Sequence, residues 1–101
     1  MGLSMAWKGV NDDQRIFFNS FNINTSNIGN WSPQQLVEGV GTSVGPALRL
    51  TFNASRLFMA WKGVNDDQNI FFNSTLDGSH WAPQQAVPGV GTSFRPSIFP
   101  F

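Results

Sequence analysis

The 101-residue chain contains no cysteine, so neither a disulfide nor a thiolate metal site holds it together. The missing thiol does not fix a compartment, because cysteine-free chains occur in all of them. Charge is scarce and balanced: six basic residues cancel six acidic ones. That removes the long-range field which draws in nucleic acid or an anionic membrane. No apolar run approaches the length of a membrane span, and the opening MGLSMAWKGV has neither the basic region nor the unbroken apolar stretch of a signal peptide. The chain therefore reads as soluble, without membrane insertion and with its localisation left open. No segment sustains a 3.6-residue apolar period, and glycine and proline recur throughout, so nothing reads as a helix. The one histidine, His80, sits among turn formers with no evident partner and reads as a surface residue.

What is present is a hydrophobic fraction of 41% with 14% aromatic residues, enough for the core of one domain. It is also a repeat. MAWKGVNDDQ occupies residues 5–14 and again 59–68, and IFFNS follows one residue later in both places. Over Met5 to Ser20 the only difference from the second copy is Arg15 against Asn69. Further on, WSPQQLVEGVGTSVGP from Trp31 answers WAPQQAVPGVGTSFRP from Trp81. The copies differ in length only between these blocks, where FNINTSNIGN stands against TLDGSH, and a length change confined to one place marks a surface loop.

Within a unit, short runs of β-branched and aromatic residues alternate with turn formers, which predicts four strands joined by hairpins. In the second unit these are PALRLTF (46–52), LFMAWK (57–62), NIFFNS (69–74) and WAPQQAV (81–87). Both parities of LFMAWK are apolar, so that strand is expected to be covered on both faces. A period of about 50 residues with four antiparallel strands per unit matches β-propeller blades. It fits less well an eight-stranded β-sandwich, whose strands should alternate more cleanly, or a β-solenoid.

The units resemble the repeats of lectin-like and sialidase-like β-propellers, and STLDGSHW (Ser74 to Trp81) resembles the Asp-box turn of that family. The first copy keeps Ser20, Gly29 and Trp31 but has no aspartate at that place. The resemblance implies an all-β protein of two four-stranded antiparallel blades, residues 1–101 forming one two-blade unit. Repeat 1 covers about 3–50 and repeat 2 about 56–101. Two blades cannot close a propeller, which needs roughly four to eight, so the expected partner is the chain itself. The chain enters its first unit at the second strand and leaves its second with an extra first strand at 95–101, so the tail of each copy is expected to complete a neighbour's blade in a homo-oligomer. A trimer of six blades is the first expectation and a tetramer of eight the second. A recently duplicated or engineered propeller fragment, acting as a scaffold without sugar binding, is the alternative.

The loops that repeat best, Lys8 to Gln14 with Lys62 to Gln68 and Gly39 to Ser43 with Gly89 to Ser93, fall on one face of such a disc. A multivalent lectin needs an aromatic plane for the sugar's C–H face and amides or carboxylates for its hydroxyls. The candidates for glycan binding are Trp7, Asn11, Asp12, Asp13 and Gln14 with their copies Trp61, Asn65, Asp66, Asp67 and Gln68. Packing between blades is the stronger reading for the tryptophans themselves, and the stems of Lys8 and Lys62 suit covering the rings. Two adjacent carboxylates per loop fall short of the 6 to 8 oxygens that Ca²⁺ takes, so no metal and no cofactor is expected. Nor is an enzyme: a glycosidase needs two separated, converging carboxylates, and Arg15, Arg49, Arg56 and Arg95 do not repeat as the arginine cluster of a sialidase would.

Overall fold

A computed structural model describes residues 2–23, 29–51 and 56–99. Met1, residues 24–28 of the FNINTSNIGN segment, residues 52–55 and the last two residues of the tail lie outside the described residues. The chain is all-β, with two four-stranded antiparallel sheets and no helix among the described residues. The first sheet holds β1 (Gly2–Lys8), β2 (Arg15–Ile23), β3 (Gly29–Trp31) and β4 (Gln35–Gly41). The second holds β5 (Pro46–Leu50), β6 (Leu57–Lys62), β7 (Asn69–Thr75) and β8 (Gln85–Gly91), in that spatial order.

The sheets are not two equal sets of strands. In the first, β3 and β4 both pair with β2 and are two pieces of one outer strand. The break falls at Pro33, which has no N–H to give to a ladder. Pro83 acts alike in the second copy, where Trp81 makes a single bridge to Thr75 and the strand resumes only at Gln85. The outer strand expected from Trp81 to Val87 is thus displaced toward the C-terminus, and GVG, expected in a loop, ends β4 and β8. Gly39 and Gly89 make this possible: at φ 77° and 78° they open a bulge, so that Arg15 pairs with Gly41 while Ile16 pairs with Val37. In the single chain residues 95–99 pair with no strand. The count of eight strands is reached instead by the split of β3 from β4.

With the outer strands matched, β1 corresponds to β6 and β2 to β7, and the first sheet has no equivalent of β5. Its β1 is an open edge.

The pairing registers fix which side chains share a face. On one face of the first sheet lie Ala6, Ile16 and Phe18, and on the other Met5, Trp7 and Phe17. In the second sheet the equivalent of that other face, Met59, Trp61 and Phe71, turns toward the first sheet. The core is therefore built front to back: Ile16, Phe18 and Val37 of the first sheet pack on Leu57, Met59 and Trp61 of the second, with Trp81 set edge-on to Phe18 at 5.4 Å. Burial of each such large side chain is worth about 1.5–3 kcal/mol. The stacking leaves two apolar faces over. Met59 is fully buried while its copy Met5 is 43% exposed, and behind the second sheet Phe58, Ile70, Phe72 and Val87 line a hollow of about 390 Å³ against which Pro96 to Phe99 lie.

Candidate functional site

The repeated loops meet at one end of the sheets. Thr42 N donates to Gln14 O at 2.8 Å and Ser43 N to Gly63 O at 3.3 Å, tying the β1–β2 turn, the β4–β5 connection and the β6–β7 turn together. Each turn is held from within. Asn11 and Asn65 sit at φ 55° and 50°, left-handed positions that asparagine tolerates better than most residues. Gly9 and Gly63 are required by proximity, because a Cβ there would lie 2.5 and 2.6 Å from the carboxyl carbons of Asp13 and Asp67.

The lysines act through their ammonium groups. Lys8 Nζ donates to Gly9 O at 3.0 Å and Asn11 O at 2.6 Å. Lys62 Nζ donates to Gly63 O at 3.2 Å, Asn65 O at 2.8 Å and Ser43 Oγ at 2.6 Å. Both ammonium groups close the turn by binding its carbonyls.

Of the adjacent aspartates only one faces inward. Asp13 Oδ1 accepts from Arg15 N at 3.1 Å and Nε at 2.9 Å, and Oδ2 from the guanidinium at 2.8 Å. The guanidinium's hydrogen bonds, followed by that of the Arg15 backbone, bring its pKa down to about 2. Asp67 Oδ1 accepts from Asn69 N at 3.0 Å and Nδ2 at 2.7 Å. The single difference between the copies of this segment thus falls on the partner of this aspartate, and both residues donate to the same oxygen. Asp12 and Asp66 are exposed, and their carboxylates enter no hydrogen bond or ion pair. Among the described residues no three acidic or histidine side chains gather as metal ligands would.

Between the copies, Gln14 Nε2 donates to Asn65 Oδ1 at 2.7 Å and Asn65 N to Gln14 Oε1 at 2.8 Å. Gln68 Nε2 reaches Ser93 Oγ at 3.2 Å. The polar members of the expected set therefore do come together at this end, with Asp12 and Asp66 exposed. The tryptophans do not join them. Trp61 is 0% exposed and stacked on Phe71 at 6.2 Å; its Nε1 has no hydrogen-bond partner among the described residues. Trp7 stacks on Phe17 at 6.1 Å and is half-buried. An exposed aromatic at these loops is Phe94, 75% exposed beside Ser93, which had a sequence signal where the matched GTS is followed by Phe94 and Arg95 in place of Val44 and Gly45.

At the turn that resembles an Asp box, Asp77 Oδ1 accepts from Ser79 N at 2.8 Å, His80 N at 2.9 Å and Thr75 Oγ1 at 3.1 Å, with Gly78 at φ 79°. His80 Nδ1 lies 2.8 Å from Asp77 Oδ2. The histidine thus has a partner after all, three residues back across a turn. Its hydrogen bond holds Asp77 well below the usual carboxylate range and raises the imidazole above its ordinary 6.5.

No protein-family model matches the chain, and comparison with curated proteins and with solved structures finds no match.

Proposed function

We propose that the chain is a non-catalytic, carbohydrate-binding lectin whose two sheets are β-propeller blades closed by self-association, three chains giving six blades and four giving eight as the second choice. Support for blades comes from the front-to-back stacking. A sandwich of two like sheets closes on itself by presenting one inner face to another, whereas front-to-back stacking leaves a free front and a free back and can continue.

The observation that favours sugar recognition is the twice-presented turn. Lysine, glycine and the inner aspartate satisfy its backbone, and Asp12 or Asp66 is exposed with a carboxylate engaged by none of the described residues. A carboxylate carried on a backbone so held, beside the Gln14 and Asn65 amides, suits paired sugar hydroxyls, and Phe94 offers an apolar ring at the same end. Weak single sites suffice when several are displayed together, since matched spacing raises apparent affinity by about 10² to 10⁴.

The burial of Trp61 favours a second reading, a scaffold that offers this face to protein partners, because it removes one of the two aromatic planes expected at the loops. A glycan array decides between them. Binding that disappears when Asp12 and Asp66 are both changed to Ala, in a protein with unchanged circular dichroism, is the expected result. Silence across a broad array sinks the lectin reading and leaves the scaffold.

A further inference from the structure

The contact between the two copies inside one chain supplies the pattern for a contact between chains. At the internal boundary, the segment after β4 reaches the second copy through Ser43, whose backbone N–H and side chain engage Gly63 O and Lys62 Nζ, while Gln14 exchanges two hydrogen bonds with Asn65. Beyond Ser43 the chain runs directly into β5, which pairs with β6 as Pro46 with Trp61, Ala47 with Ala60, Leu48 with Met59 and Arg49 with Phe58.

Every residue that makes the polar part of this boundary has an identical counterpart on the two open ends. Ser93 and Gln68 lie at one end, and Lys8, Gly9 and Asn11 at the other. The receiving end is open to the degree its copy is closed. Val10 is 79% exposed where Val64 is 39%, and Lys8 has two acceptors where Lys62, 4% exposed, has gained the Ser43 hydroxyl as a third. Among the described residues β1 pairs only with β2, so its other edge is a template for another strand, and the chain's own Leu48 and Pro96 to Ile98 border a hollow shared with Ser4 to Ala6.

Resting on the blade reading above, we infer that a second copy of this chain docks on the β1 edge by continuing the internal boundary, its segment from Ser93 to Phe99 running antiparallel to β1. The register carries over residue by residue: Pro96 of the incoming copy pairs with Trp7, Ser97 with Ala6, Ile98 with Met5 and Phe99 with Ser4. Ser93 meets Gly9 and Lys8, and Gln68 meets Asn11. The back of the incoming second sheet, with Phe58 and Phe72, covers Met5 and Trp7. The contact is heterologous, and so it ends in a ring or runs on without limit.

The test uses two single-cysteine variants of a chain that has no cysteine of its own, Val10→Cys and Ser93→Cys, both at exposed positions. Mixed in equal amounts and treated with a short bis-maleimide, they are expected to give a covalent dimer that neither variant gives alone. In one chain, the counterpart pair Ser43→Cys with Val64→Cys should link internally with no gain in size. Native mass spectrometry of the unaltered chain separates the two levels of failure. An assembly whose mixed variants do not crosslink overturns this register and leaves closure standing, while a chain that stays monomeric at micromolar concentration overturns both.

Discussion

Replacing Trp61 with Phe sets two effects of similar size against each other. The side chain is completely enclosed, so the loss of about three heavy atoms leaves a small void, and at ~24 cal/mol per Å³ of cavity plus the transfer free energy of the lost atoms the cost is about 1–2 kcal/mol. The indole N–H, however, is buried with no partner among the described residues, and a buried unsatisfied donor costs about 1–3 kcal/mol. Phenylalanine removes that donor and keeps the stack on Phe71. Trp61→Phe is therefore expected to change stability by no more than ~1 kcal/mol in either direction, while Trp61→Ala, which forfeits the stack as well, should lose about 3–5 kcal/mol. Urea unfolding followed by far-UV circular dichroism measures both. A loss above ~3 kcal/mol for the Phe variant would refute the reasoning, since the N–H would then have to be engaged. Loss of glycan binding without loss of stability would be as damaging, because it would make Trp61 a contact surface.

The remaining expectations concern the turns. The carboxyl of Asp13 should titrate at about 2 by NMR; because its pKa is lowered on folding, the stability it adds is complete above 3.8 and fades as pH falls through about 2. Arg15→Ala should move that midpoint upward, and an unmoved midpoint would mean that the guanidinium is not its main cause. His80 should titrate above 6.5, so its contribution is complete below its ordinary pKa and lost as pH rises through the raised one. Asp77→Asn should bring the imidazole back toward 6.5, and no change would dismiss the pair. Gly63→Ala should displace the Asp67 carboxyl and cost about 1–3 kcal/mol; full stability in urea would show that the turn yields without strain.

Two copies, an all-β antiparallel architecture and a shared end for the polar loops were legible because they depend on local pattern: alternation, turn residues and literal repetition. What escaped was decided by neighbours distant in sequence. Trp7 and Trp61 stand in identical decapeptides, yet only the second has the first sheet packed over it, so no local reading separates a half-open indole from an enclosed one. Lys62 is nearly buried for the same reason, its third acceptor Ser43 lying 19 residues earlier. Gly39 and Gly89 read as loop because glycine usually interrupts a strand. Here their positive φ makes the bulge that lets β4 and β8 rejoin the ladder. The pair of His80 with Asp77 was within reach of local reasoning, since an aspartate followed by glycine in a turn commonly folds back on the residues after it.

The β1–β2 and β6–β7 turns separate what keeps a loop's shape from what the loop displays. Lysine, glycine and the inner aspartate satisfy the backbone, and the exposed side chain of Asp12 or Asp66 takes no part. A loop of this kind is preorganised: a ligand that meets it has little chain entropy left to remove, so modest contacts are not spent on ordering the receptor. It is also permissive. Exchange at positions 12 and 66 alters what is offered to a partner while leaving the determinants of folding in place, so such a loop can change its specificity by substitution at one position per copy, and the two copies can be made to differ.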